Sequence, residues 1–162
     1  GMLAAMGDFR IFVDADNAIS IEQIEKFWPF INEGYEVVIG SIELPGAKIE
    51  ENAQWYRRFL GKYSKYIIRV IAGLWNIHDT QRAFKLFTAQ SATEIFSRTT
   101  IDQWGFDIEV LILAKKLGYK IKELPITWIN YGESRVNLGS YFGVLRDLFK
   151  MRINLLFGKY KL

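Results

Sequence analysis

The chain has 162 residues, half of them apolar and 15% aromatic, with a formal net charge of +3. That suits one domain with a real core, is too apolar for a disordered chain, and gives no reason to invoke nucleic acid. With no cysteine and a single histidine, His78, the composition excludes a disulfide framework, a zinc-thiolate site and a histidine metal cluster.

Phe9 to Val13 is short and rich in large apolar residues, and reads as a buried strand. It runs into Asp14 and Asp16. Residues i and i+2 of a strand share a side, so both carboxylates are placed together at a strand end. Two anions there suit a hard divalent ion, Mg²⁺ or Mn²⁺, that itself bridges phosphates. The plain alternative is two solvated carboxylates at a turn. Ser20, with Gln23 three residues on, has the form of a capping box. Ile21, Ile24, Phe27, Trp28 and Ile31 then recur at helical spacing up to Gly34, with Pro29 kinking or shortening the helix. Tyr35 to Ile39 is a second strand. Ser41 to Asn52 holds Pro45, Gly46 and several charges, and reads as a mobile surface loop. Ala53 to Trp75 is mostly helical, with a break near Gly61; its apolar part from Tyr66 is too short to span a bilayer and carries Arg69.

Phe84 to Thr88 is a short strand and Ser91 to Phe96 a short helix. Asp107 to Leu117 is a helix stopped by Gly118. Tyr119 to Trp128 is a strand that Pro125 pushes toward an edge or a bulge. Asn130 to Asn137 is a polar loop. Leu138 to Phe157 is an amphipathic helix. Leu138, Phe142, Leu145, Phe149, Ile153 and Leu156 fall near one stripe, with Arg146, Lys150, Arg152, Lys159 and Lys161 around it. Such a basic amphipathic helix lies in a lipid interface, or its first half packs on the sheet. Tyr160 to Leu162 reads as a tail. Strands alternating with helices argue an α/β fold.

A strand ending in D-x-D also opens the haloacid-dehalogenase phosphatases. Their Thr or Val two residues after the second Asp is Ala18 here. Three further blocks favour another family. Asp79-Thr80-Gln81-Arg82-Ala83-Phe84-Lys85-Leu86-Phe87-Thr88 resembles the D-T-Q-C-G-F-K-L-F block of dolichyl-phosphate β-glucosyltransferases. Trp104-Gly105-Phe106-Asp107-Ile108-Glu109-Val110-Leu111 is similar to that family's W-x-F-D-x-E-x-L block. Trp128 followed by Gly132-Glu133-Ser134-Arg135 is similar to its W…G-S-K segment. The blocks come in family order and cover nearly all of the chain. Three departures stand out: Arg82-Ala83 replaces Cys-Gly, Ile42 follows Gly40-Ser41 where the family has Arg, and Arg135 replaces the closing Lys.

The resemblance implies a family-2 glycosyltransferase of GT-A fold. Because no glycine-rich phosphate turn precedes the D-x-D strand, residues 1–162 are expected to be one partial domain. It would be the C-terminal part of a Rossmann-like nucleotide-sugar transferase with a mixed sheet, its N-terminal nucleotide-binding units absent and 138–162 its amphipathic helix and tail. The implied reaction is inverting transfer of glucose from UDP-glucose to a polyprenyl (dolichyl-type) phosphate at the cytoplasmic face of a membrane, with the protein held peripherally. The alternatives are a mannose synthase using GDP-mannose, and a non-catalytic fragment that only binds a membrane or a partner. Asp14 and Asp16 would hold the metal against the diphosphate. Asp79, Asp107 and Glu109 are the implied catalytic acids, orienting the acceptor and the sugar hydroxyls. Arg58, Ser134 and Arg135 are implied substrate-binding residues. Lys85 is a further candidate for phosphate, although a strand lysine more readily faces solvent. His78 reads as structural or solvent-facing.

Overall fold

The computed structural model describes residues 1–50, 65–102, 104–129 and 138–162. A four-stranded mixed sheet is its centre. Strand β1 (Phe9–Val13) pairs antiparallel with β4 (Phe84–Thr88), β4 antiparallel with β2 (Val37–Ser41), and β2 parallel with β5 (Ile121–Pro125). The order is therefore β1-β4-β2-β5. A second, two-stranded parallel sheet joins β3 (Lys48–Glu50) to β6 (Thr127–Ile129). The expected α/β class with a mixed sheet is what the chain adopts.

The two faces of the large sheet carry separate cores. Val37, Ile39 and Phe87 pack under helices α3 (Ala89–Phe96), α4 (Phe106–Lys116) and α5 (Leu138–Leu156). Val38, Phe84, Leu86 and Leu124 pack under Ile19, Phe27 and Ile126. The alternation along β2 and β4 sends successive side chains to opposite faces, and both faces are covered. This overturns the solvent-facing reading of Lys85. It lies on a central strand with no open side and is 1% exposed.

Two expectations change at the N-terminal helix. Ile21–Lys26 is a 3-10 helix, and α1 (Trp28–Asn32) is a separate short helix with Pro29 in its first turn. Proline is tolerated there, because the first-turn N–H groups have no intrahelical partner. The capping box does not form. The Gln23 side chain instead clamps the main chain of Thr127, with Nε2 donating to its carbonyl at 2.8 Å and Oε1 accepting from its N–H at 2.7 Å.

The predicted loop from Ser41 contains β3, and the single predicted strand from Tyr119 is two. Pro125 ends β5 at the sheet edge, the buried Ile126 follows, and β6 leaves to pair with β3. A Cβ on Gly40 would come within 2.8 Å of the Ile126 side chain, so any larger residue here would displace Ile126 from the crossing. The described part of helix α2 is 65–72; the rest of the predicted helix from Ala53, and with it Arg58, lies outside the described residues, as do Ser134 and Arg135.

Helix α5 buries Val144, Asp147, Leu148, Met151 and Asn154. Its outer side exposes Phe142 (74%), Phe149, Ile153, Leu156 (83%) and Phe157, with Arg146, Lys150 and Arg152 also exposed. Most of the predicted apolar stripe is therefore the outer face of the helix. No helix among the described residues is long and apolar enough to cross a membrane. The predicted tail is not one: Tyr160 is buried to 1% exposure.

Candidate active site

Strand β1 delivers Asp14 to the end of the sheet, where the Asp14 N–H donates to the Ala83 carbonyl (3.3 Å). The chain then turns. Asp16 Oδ1 accepts from the Ala18 N–H at 3.0 Å, and Asn17 takes a left-handed conformation (φ 58°). The turn, rather than continued strand alternation, sets where the second carboxylate lies. Aromatic contacts hold α4 against this end: Phe12 meets Phe106 edge-on with ring centres 5.5 Å apart, and Phe106 meets Phe96 at 5.8 Å. They bring Asp107, in the first turn of α4, toward Asp14.

The result is a concentration of like charge. Burial, then Asp16, then Asp107 push the Asp14 carboxyl above its ordinary range, while Arg82 and Lys85 pull it down. Lys85 Nζ is bonded to Asp107 Oδ1 and to the Arg82 carbonyl. The structure therefore gathers Asp14, Asp16, Arg82, Lys85 and Asp107 at one end of the sheet. No cluster of three or more potential metal ligands occurs among the described residues. The carboxylates of Asp14 and Asp16 are of the donor type that an oxygen-preferring Mg²⁺ or Mn²⁺ takes, and such a cation would offset the burial and like charge that raise Asp14.

Asp79 is buried behind this end. Its Oδ2 accepts from the Ile42 N–H (3.2 Å) and lies 3.7 Å from Arg82 Nε. Glu123 of β5 fixes the turn: its Oε1 accepts from the Asp79 N–H (2.7 Å), and its Oε2 lies 2.9 Å from His78 Nδ1. His78 thus belongs to the scaffold of this turn. Asp79 is 1% exposed, buried where the resemblance implied an acid orienting the acceptor or a sugar hydroxyl. Its carboxylate is turned to a main-chain N–H and to Arg82.

Glu109 departs further from expectation. It lies two residues beyond Asp107 on α4, which puts its side chain on nearly the opposite side of the helix. It is wholly buried. Its carboxylate accepts from the Thr100 N–H (2.9 Å), the Thr100 hydroxyl (2.7 Å), the Ile101 N–H (3.0 Å) and the Tyr160 hydroxyl (2.7 Å). A carboxylate closed off by four donors has no free lone pair for a substrate. It anchors the 100–101 turn and the end of the chain, and the expectation of substrate contact is corrected accordingly.

Sequence reasoning passed over Arg82, Trp128 and Glu123. Arg82 stacks its guanidinium over the Trp128 ring, 4.7 Å from its centre. The signal was present: Arg82 is one of the departures from the D-T-Q-C-G-F-K-L-F block. Glu123 carried none, because its role depends on β5 lying beside a turn more than forty residues earlier.

Dolichyl-phosphate beta-glucosyltransferases of Trichomonas vaginalis and Dictyostelium discoideum are 32% and 29% identical to the chain, over 94% and 100% of it. The chain spans about half the length of these relatives (47% and 51%). The crystal structure of glucosyl-3-phosphoglycerate synthase from Mycobacterium tuberculosis in complex with UDP superposes with a TM-score of 0.58 at 16% identity, covering 93% of this chain and 51% of that one. This likeness is one of fold and marks the chain as GT-A-like. The model of "Glycosyl transferase family 2" matches residues 1–96. The chain belongs to glycosyl transferase family 2.

Proposed function

We propose that the intact protein transfers glucose from UDP-glucose to a polyprenyl phosphate, with inversion, at a membrane surface. The observation that carries this reading is the convergence of Asp14, Asp16, Arg82, Lys85 and Asp107 at one sheet end, in a family-2 chain related to dolichyl-phosphate glucosyltransferases.

Asp14 and Asp16 would hold Mg²⁺ or Mn²⁺, which when bound neutralises the diphosphate that leaves with the nucleotide. The rest of the work falls to this chain's side chains. Lys85 holds Asp107 in place from beneath, so that the first turn of α4 presents a carboxylate whose second oxygen is unpaired with Lys85. In this reading Asp107 orients the acceptor or a sugar hydroxyl. Asp79 sets the Arg82 guanidinium, and Glu109 acts at a distance by holding α4. A phosphate acceptor is already anionic at neutral pH, so positioning and charge screening supply most of the catalysis and no strong base is required. Arg58, Ser134 and Arg135 remain proposed substrate-binding residues from the resemblance.

The lipid acceptor fits the outer face of α5, where Phe142, Phe149, Ile153 and Leu156 lie among Arg146, Lys150 and Arg152. We place the protein on the cytoplasmic face, docked peripherally through this helix. Exposed cations prefer anionic lipid, and salt weakens that attraction. The intact protein should float with anionic vesicles at low salt and less at high salt. Exchanging Lys150 and Arg152 for Glu should reduce flotation. Equal flotation of both proteins would remove α5 from the membrane contact.

The activity is tested by offering the intact protein labelled UDP-glucose or GDP-mannose with a polyprenyl phosphate and Mg²⁺ or Mn²⁺. Labelled glucolipid from UDP-glucose is expected. Product from GDP-mannose alone, or no lipid product from either donor, overturns the reading.

A further inference from the structure

Among the described residues the site contains two cations, and the structure treats them differently. Lys85 is buried, and its ammonium is closed by Asp107 and by the Arg82 carbonyl. Arg82 is not closed. Its Nε is buried with no hydrogen-bond partner among the described residues, and the nearest carboxylate oxygen, Asp79 Oδ2, stands off at 3.7 Å. Buried donors are ordinarily satisfied; Arg10 and Arg69 also bury an unpartnered Nε, and what sets Arg82 apart is its place beside the carboxylates at the sheet end.

The arginine is nonetheless well held. Its carbonyl accepts from Lys85 Nζ and from the Phe84 N–H (3.0 Å), which fixes the main chain. Its guanidinium lies over the Trp128 face, and its side chain is 22% exposed. A planar fork that is fixed at its base and stacked on one side is preorganised for an oxyanion. It is also close enough to Asp14 to lower that carboxyl. The Ile42 N–H and the Arg82 guanidinium meet on the same Asp79 carboxylate.

We infer that Arg82 is a substrate-binding residue that takes a phosphate or diphosphate oxygen beside Asp14. The inference rests on the reading of the chain as a transferase acting on phosphorylated substrates, and it adds a residue to that site. Asp79 lies beside Arg82, Asp107 is paired with Lys85, and Asp14 feels both cations while Asp16 adds its charge to Asp14. A free anion is therefore repelled, and the anion binds through Arg82 only together with a divalent cation.

The test is titration calorimetry of the intact protein with three probes in saturating Mn²⁺: inorganic pyrophosphate, UDP and farnesyl phosphate. Wild type is compared with Arg82→Gln and Arg82→Lys, with thermal melts to separate folding from binding. Arg82→Gln should weaken pyrophosphate by at least about tenfold, and Arg82→Lys by less, because a point charge replaces the fork. The same loss with UDP assigns Arg82 to the donor, and with farnesyl phosphate to the acceptor. An Arg82→Gln protein that melts earlier yet binds all three probes like wild type makes the residue structural and overturns the inference. Arg82-dependent pyrophosphate binding with no affinity for UDP or farnesyl phosphate keeps the inference and overturns the transferase reading. Binding of no probe by wild type overturns both.

Discussion

Helix α4 carries two carboxylates, Asp107 and Glu109, that lie two residues apart and have opposite fates. Glu109 sits in a closed polar knot, its oxygens meeting donors from Thr100, Ile101 and Tyr160. Asp107 sits in an open one. It pairs with Lys85 but also raises the proton affinity of Asp14. In the closed knot every group improves its neighbour. In the open knot burial and the charges of Asp16 and Asp107 raise Asp14, and Arg82 Nε has no hydrogen-bond partner among the described residues. The open knot is arranged for something that arrives, and the closed one for holding the fold.

The largest expected effect is at the one strong pair of the open knot. Lys85→Met leaves Asp107 beside Asp14 without its buried cation, and breaking such a pair costs about 3–5 kcal/mol. Urea denaturation should show this loss, and the second change Asp107→Leu should recover part of it. A Lys85→Met protein of wild-type stability would mean that the pair contributes nothing. In the closed knot, Glu109→Ala strands the Thr100 and Ile101 N–H groups and the Tyr160 hydroxyl. With each buried orphan costing about 1–3 kcal/mol and partial relaxation, a loss near 3 kcal/mol is expected. A loss under about 1 kcal/mol would show that water replaces the carboxylate.

A smaller effect appears with pH. Burial and the bond to Glu109 push the Tyr160 hydroxyl from 10.0 up to about 12. The fold therefore favours the protonated phenol, and its contribution is full below pH 10. It is lost as pH rises from 10 toward 12, because the unfolded chain releases its proton first. Wild type should lose more stability over that interval than Tyr160→Phe. Parallel losses would take Tyr160 out of the knot.

The two knots were unequally legible in the sequence. Asp14, Asp16, Lys85 and Asp107 stand in blocks whose chemistry is visible from residue type and order. Strand β4 was legible to the residue, because Phe84, Leu86, Phe87 and Thr88 make a short, mostly apolar run interrupted only by Lys85. The closed knot was not legible. Its parts come from residues 100, 101, 109 and 160, and only packing of the chain end against α4 brings them together. The same is true of β3, three residues whose partner β6 lies nearly eighty positions away. Lys85 was misplaced for a related reason: whether a strand has a solvent side depends on what covers the sheet. The stripe on α5 was read correctly as a stripe, yet periodicity alone could not say that it faces outward.

The measurement that bears most directly on this contrast is turnover of labelled UDP-glucose to glucolipid by the intact protein and two variants, one from each knot. Asp16→Asn should lower turnover at least about tenfold, or roughly 1.4 kcal/mol of transition-state stabilisation. Excess chelator should abolish wild-type turnover, and Tyr160→Phe at a temperature where it remains folded should stay near wild type. Full activity of Asp16→Asn, or wild-type turnover that survives excess chelator, would contradict the assignment of the open knot as the catalytic end.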